Sequence, residues 1–269
     1  MDQKEKAIRF KELHERGRPF IIPNPYDRGT ARLLAGLGFE ALASTSAGYA
    51  YAQGTVDHKI SAEDMLAHLA DIASATDLPL NADLGNGFGD TPEIVCRTIR
   101  RGIEAGLAGG SIEDMAADRT LYPIDQAVER IAAAAEAAHG GDIPFVLTAR
   151  AENYLVGDPS LSNVIDRLQA YQEAGADVLY APGLSNIDEI TELCRSVDRP
   201  VNVLVGIPGH GLTIEDFAAA GATRLSTGSA LAVAAFGAFL NAAKEMRDEG
   251  TFSFANDVSA YGDLGKILG

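Results

Sequence analysis

Three residues able to do chemistry stand directly after short apolar runs: Asp83 after Leu78–Ala82, Glu113 after Gly109–Ile112, and Arg150 after the run that begins at Phe145. Two carboxylates that end neighbouring parallel strands at matching positions can reach a single ion. With hard oxygens and no histidine or cysteine beside them, that ion would be Mg²⁺, or Mn²⁺, rather than Zn²⁺. The competing reading is structural: either carboxylate caps a helix or pairs with Arg150. An arginine at a strand end requires an anion, which could be a substrate carboxylate, Glu152 or Glu113.

Other polar residues fall at the ends of the same kind of run: Ser44, Thr45 and Ser46, then Asp114, Glu152, Asn153, Tyr180, Ser226 and Thr227, with Asn202 inside its run. No lysine does, which disfavours a Schiff-base aldolase. Only His58 and His210 fall in the connecting loops, so a histidine-clustered metallohydrolase is disfavoured too. The glycine-rich stretch Gly206–Gly211 and the turn Ser226–Ser229 sit where many barrels bind phosphate, so a phosphosugar enzyme competes.

The elements that must position these residues alternate between strand and helix. Strands are expected near Phe20–Ile22, Ala41–Ala43, Leu78–Ala82, Gly109–Ile112, Phe145–Thr148, Val178–Tyr180, Val201–Val205 and Thr223–Leu225. Alanine-rich amphipathic stretches lie between them: Ala62–Ala73, Pro92–Ala105, Pro123–Ala138, Val164–Ala174, Ile187–Arg195 and Thr213–Ala220. Ser61 before Asp64, Thr91 before Pro92, and Thr213 before Asp216 mark helix starts. Alternation of this kind over 269 residues predicts one α/β domain, a (β/α)8 TIM-type barrel spanning residues 1–269 with an extra N-terminal helix. An open doubly wound sheet is the alternative. Barrel enzymes keep their chemistry at the C-terminal strand ends, where Asp83, Glu113 and Arg150 fall. Ser44–Ile60 reads as a long connection, and the stretch ALAVAAFGAFLNAAKEM as a helix apolar nearly all round, which suits packing against more than one neighbour.

Composition narrows the partners. A formal charge of -16 leaves no basic stripe for nucleic acid or an anionic membrane. No apolar run reaches the ~18 residues of a membrane span, and the charged N-terminus does not resemble a signal peptide. Cys96 and Cys194 lack metal-ligand spacing and read as packing residues, so a cytoplasmic location is expected.

Taken in order, the stretches FIIPNPYDRGTARLLAGLGFEALASTSAG, NADLGNGFGD, GGSIEDM, LTARAENYL, GADVLYAPG and PVNVL resemble the isocitrate lyase/phosphoenolpyruvate mutase superfamily. The resemblance implies Mg²⁺ holding an α-keto acid or related carboxylate, with bond cleavage leaving an enolate. By position it makes Asp83 a direct metal ligand, Glu113 a direct or outer ligand and Asp57 a water-mediated one. It places the substrate carboxylate on the backbone amides of Thr45, Ser46 and Ala47, gives Arg150 the substrate grip, and sets Asn202 facing the substrate. It also implies a homo-oligomer, commonly a tetramer with C-terminal helices exchanged between subunits.

The sequence departs from that pattern in three places. Gly85 stands where a second aspartate is usual. The lysine-lysine-cysteine-glycine-histidine loop is replaced by Asp114-Met-Ala-Ala-Asp-Arg-Thr-Leu-Tyr, which lacks an acidic cysteine. Pro182 stands where relatives carry an ionisable residue. Replacement proton donors could come from Arg119, Tyr122 or the Ser44–Ile60 loop, and loops near Ala116–Tyr122 or Gly48–Ile60 could close over the site. The expected activity is a Mg²⁺-dependent lyase cleaving a C–C bond in, or decarboxylating, a small α-keto or 2-hydroxy carboxylate. Competing expectations are a P–C bond enzyme acting on a phosphonopyruvate-like substrate, and a keto-acid-binding barrel without catalysis.

Overall fold

Each apolar run is followed by a crossover carrying the chain back to begin the next strand, so the strands come out parallel. The computed structural model describes residues 1–206, 211–257 and 261–269. Its strands are β1 (Phe20–Ile22), β2 (Leu42–Ala43), β3 (Leu80–Asp83), β4 (Gly109–Glu113), β5 (Val146–Arg150), β6 (Val178–Tyr180), β7 (Val201–Leu204) and β8 (Arg224–Ser226). They pair in the order β1-β8-β7-β6-β5-β4-β3-β2. The seam between β1 and β2 is bridged by Ala43 N–H donating to the Pro23 carbonyl at 3.0 Å. The fold is the expected (β/α)8 barrel.

The helices are α1 (Gln3–Glu15), α2 (Arg28–Gly36), α3 (Ser46–Ala52), α4 (Ala62–Ala75), α5 (Pro92–Glu104), α6 (Ile124–His139), α7 (Asn153–Val156), α8 (Leu161–Glu173), α9 (Ile187–Ser196), α10 (Ile214–Ala219), α11 (Ala230–Asp248) and α12 (Tyr261–Leu268). Ser61 and Thr213 cap α4 and α10 as expected, accepting from Asp64 N and Asp216 N. Thr91 makes no side-chain cap, and the start of α5 rests on Pro92. The long connection Ser44–Ile60 carries α3. Thr45 caps that helix by accepting from Gly48 N at 3.2 Å, and Ala50 buries its inner face.

The extra N-terminal helix α1 plugs the N-terminal mouth of the barrel. Phe10 and His14 meet Phe20 edge-on at 6.3 and 5.0 Å, and Leu13, Val146 and Val178 complete that layer. At the other end, α12 returns onto α2 of the same chain. There Arg32 Nη2 donates to the Leu268 carbonyl at 2.8 Å, and Ile267 covers Gly36 closely. Helix α11 is different: Ala232 is its buried residue, while Val233, Phe239 and Leu240 are 52%, 70% and 53% exposed. No helix among the described residues is long and apolar enough to cross a membrane. Cys96 and Cys194 are free thiols, part-buried among the packed helices.

Candidate active site

The inward-facing residues at the C-terminal ends of β3, β4 and β5 are Asp83, Glu113 and Arg150. Strand register places Glu113 beside Arg150 and Asp83 beside Ser111. Arg150 Nη1 donates to Asp83 Oδ1 at 3.1 Å, Nη2 lies 3.3 Å from Glu113 Oε2, and Nε donates to Glu152 Oε1 at 2.7 Å. Its guanidinium also sits 5.4 Å from the Tyr180 ring centroid. The structure therefore brings together the two carboxylates and the arginine singled out in the sequence, with Glu152 as the anion that Arg150 grips most closely.

These groups share one charge economy. Burial works against the Asp83 carboxylate, but Arg150 and donors from Ser46 and Gly85 outweigh it and hold Asp83 below the ordinary carboxylate range. Glu113 is pushed up to about 8, first by burial and then by Glu152, Asp83 and Asp57, with Arg150 opposing. Arg150 is held firmly protonated: burial is overcome by Glu152, Glu113 and Asp83. Three carboxylates thus surround one guanidinium, with Asp57 close enough to add to the imbalance.

The other predicted site residues are close by. Ser46 Oγ and N both donate to Asp83 Oδ2, at 2.9 and 3.3 Å, so α3 starts directly on the carboxylate. Thr45, Ser46, Ala47 and Asp57 line a cavity of about 170 Å³ together with Asp83, Arg150 and Asn202. A wider groove of about 750 Å³ opens from Ser46, Asp57, Asp83 and Glu113 toward His58, Lys59 and Arg119. Asn202 sits within β7 and lines the smaller cavity. Its Nδ2 donates to Ser226 Oγ at 2.9 Å and its Oδ1 accepts from Arg224 Nε at 2.8 Å. Among the described residues, no three His, Cys, Asp or Glu side chains stand together as a preformed metal cluster. Asp83 and Glu113 remain a pair, with Asp57 farther out in its loop.

The candidate proton donors separate. Tyr122 is held away from the cavity: its hydroxyl donates to Asp90 at 2.6 Å and accepts from Asn86 at 3.1 Å. Arg119 lines the wide groove, its Nη2 donating to the Leu155 carbonyl at 3.3 Å. The glycine-rich phosphate candidate Gly206–Gly211 falls largely outside the described residues.

Two interactions were not legible in the sequence. Asp114 is buried behind the site, where its Oδ1 accepts from Glu152 N at 2.8 Å. Its Oδ2 accepts from Arg167 Nη1 at 3.0 Å and from the Tyr171 hydroxyl at 2.5 Å. Arg224, expected only as part of a strand, points into the barrel. The partners lie 53 and 57 residues from Asp114, and the direction of Arg224 depends on strand register, so no local motif marks either.

A parallel barrel with carboxylates and an arginine converging at its C-terminal mouth, around a small polar cavity, is the arrangement in which barrel enzymes carry their chemistry. The chain belongs to the phosphoenolpyruvate phosphomutase family, whose model matches residues 10–247, and is a lyase of the isocitrate lyase/phosphoenolpyruvate mutase type. It is 53% identical to the solved structure of a putative lyase/mutase from Burkholderia cenocepacia, with a TM-score of 0.95, covering 99% of this chain and 96% of that one. It is 30% identical to the 2-methylisocitrate lyase of Bacillus subtilis over 220 residues, 78% of this chain and 70% of the relative. A structure of oxaloacetate acetylhydrolase with its product oxalate matches at 26% identity and a TM-score of 0.86, covering 97% and 93% of the two chains.

Proposed function

We propose that the protein is a Mg²⁺-dependent lyase that cleaves a C–C bond in, or decarboxylates, a small α-keto or 2-hydroxy carboxylate. The observation that carries this reading is the excess of carboxylate at the mouth. Asp83, Glu113 and Glu152 share Arg150, and Glu113 is pushed up to about 8, first by burial and then by the neighbouring carboxylates. A divalent cation at Asp83 and Glu113 would relieve that imbalance, and the all-oxygen donor set suits Mg²⁺, with Mn²⁺ a second choice. Mg²⁺ commonly keeps several waters, so two carboxylates and a more distant Asp57 suffice, even with Gly85 where a further carboxylate could stand.

Bound Mg²⁺ would supply Lewis-acid polarisation of substrate oxygens and stabilise the negative charge left by cleavage. The protein's own residues do the rest. Arg150, fixed by Glu152, presents a permanent cation to the substrate. Ser46 holds Asp83 in place, and the start of α3 at Thr45, Ser46 and Ala47 lines the carboxylate end of the cavity. Asn202 lines the cavity below. The hairpin pairing Met115 with Leu121 and the loop bearing Asp57 flank the wide groove and would close it to exclude water. The resemblance to 2-methylisocitrate lyase and to an acetylhydrolase that releases oxalate supports chemistry on small oxo acids. The uncovered apolar residues of α11 support a homo-oligomer, with a tetramer as the assembly proposed.

The test is a thermal-shift titration with Mg²⁺, oxalate, and both together, on wild type and Asp83→Ala. A ligand that binds only the folded state raises the melting temperature by mass action. Stabilisation by oxalate that requires Mg²⁺ and disappears in Asp83→Ala is the result expected. Stabilisation without Mg²⁺, or its full retention in the variant, overturns the assignment. Product analysis with oxaloacetate and with phosphonopyruvate then separates C–C from P–C cleavage.

A further inference from the structure

TIM-barrel interiors are ordinarily filled by layers of branched aliphatic side chains. Here the layer below the carboxylates is polar instead: Asn81, Ser111, Thr148, Asn202 and Arg224 all point inward and all are buried. Arg224 leaves β8 and reaches across the barrel. Its Nη2 donates to Thr148 Oγ1 on β5 at 3.0 Å, its Nε to Asn202 Oδ1 at 2.8 Å, and its Nη1 lies 3.4 Å from His14 Nε2. Every one of these acceptors is neutral. His14 is held down at about 3, first by burial and then by Arg224, so it offers a lone pair and no compensating charge.

The other interior arginines are not left like this. Arg150 has three carboxylates, and Arg167 has Asp114. Arg130 has two backbone carbonyls and the face of Tyr122. Arg224 is 3% exposed and faces no carboxylate within salt-bridge distance among the described residues. An isolated buried cation is costly, and its cost is relieved when an anion comes to it. Three of its N–H groups meet the acceptors above, and a guanidinium carries five donors, so one on each terminal nitrogen remains free. Asn81 Oδ1, which lines the same cavity as Arg224, is buried with no hydrogen-bond partner among the described residues.

The cavity that begins at Asp83, Ser46 and Arg150 ends on Arg224, Asn81 and Asn202. Its 170 Å³ is the room of about five or six waters at ~30 Å³ each. One continuous hollow therefore has a carboxylate-and-arginine mouth and a second, unneutralised arginine for a floor.

We propose that Arg224 receives a second carboxylate, so that the substrate is an oxo or hydroxy acid with a carboxylate at each end, seated end-on between the Asp83–Arg150 mouth and the Arg224 floor. This rests on the function proposed above for the mouth. Asn202 and Thr148 then act as the struts that hold the guanidinium across the barrel. The assignment makes the floor a determinant of substrate length and charge: a monocarboxylate would leave Arg224 uncompensated.

The experiment is titration calorimetry with Mg²⁺ present, using oxalate, each enantiomer of malate, and the 4-methyl ester of each malate, on wild type and Arg224→Met. For one enantiomer, wild type should bind the diacid about 30-fold or more tightly than the ester, because the ester leaves a buried charge unpaired. That gap should close in Arg224→Met, while oxalate, short enough to lie wholly at the mouth, binds both proteins alike. If wild type binds each diacid and its ester equally, the proposal is overturned, and this comparison needs no variant to fold. A gap that persists in folded Arg224→Met overturns it as well, as does failure of both malates to bind. If oxalate shows no Mg²⁺-dependent binding while the malate gap is present and depends on Arg224, the metal reading of the mouth falls and the Arg224 site stands.

Discussion

Asp114→Asn tests the buried strut behind the active site without creating a cavity, since the two side chains have the same shape. The aspartate accepts from Arg167 Nη1 at 3.0 Å and from the Tyr171 hydroxyl at 2.5 Å through one oxygen, and from Glu152 N at 2.8 Å through the other. Asparagine can keep the Glu152 bond, but its amide then turns two N–H donors toward a guanidinium and a hydroxyl. Breaking a buried ion pair by removing one partner costs about 3–5 kcal/mol. Arg167 retains the Tyr122 carbonyl and Asn163 Oδ1, so the lower end, about 3 kcal/mol, is expected. At roughly 2–4 °C per kcal/mol for a chain of this size, the melting temperature should fall by about 6–12 °C. Urea denaturation followed by circular dichroism measures the loss directly. Arg167→Met, alone and in the double variant, completes a cycle in which the double should lose about 2 kcal/mol less than the sum of the singles. A single-variant cost below about 1 kcal/mol, or an additive double, would refute the idea that this charge pair holds the wall.

Three further outcomes are expected. His14 and His68 are held down to about 3 and about 4, in both cases chiefly by burial. As pH falls below about 6.5, the unfolded chain takes up protons that the folded chain refuses, so stability declines between pH 6.5 and 4 by up to ~1.4 kcal/mol per unit for each histidine. Urea midpoints across that window should fall less steeply in His68→Phe, which keeps an aromatic ring on Tyr49; an unchanged slope would count against buried neutral histidine as the cause. Gly109→Ala should cost about 1–3 kcal/mol by overpacking, because its Cβ would lie 2.7 Å from the Val146 carbonyl and 2.8 Å from Phe10; an undiminished melting temperature would show that the layer has slack. Replacing Phe239 and Leu240 together by serine should lower the mass seen by sedimentation, and an unchanged mass would place the subunit interface elsewhere.

What could be read from the sequence, and what could not, follows from where the polar residues sit. The strands appear as short, largely apolar runs separated by helical stretches, so all eight were legible. Their ends were misjudged at the site itself. The apolar runs stop before Asp83, Glu113, Arg150 and Ser226, while the hydrogen-bonded strands run through them. The carboxylates and the arginine are strand residues, held by the barrel rather than by loops, which is the more rigid way to present a site. Helix α3 went unread because its seven residues, Ser46–Ala52, are small or aromatic and carry no helical charge pattern.

Arg224 was hidden for a different reason. Alternation along β8 decides whether its guanidinium faces helices or the barrel axis, and a three-residue strand carries too little periodicity to reveal that from sequence. Its neighbour Asn202 was legible as a polar residue inside an apolar strand, yet its depth could be assigned only once β6 and β8 set its register against Tyr180 and Arg224. Evolution commonly fills such a layer with aliphatic side chains, which would stabilise the barrel more than this polar set does. A polar layer reached by a cavity, with one arginine left without a counter-ion among the described residues, is a stability cost for which the Asp83–Arg150 mouth alone offers no reason, and a ligand group descending to that depth would supply one.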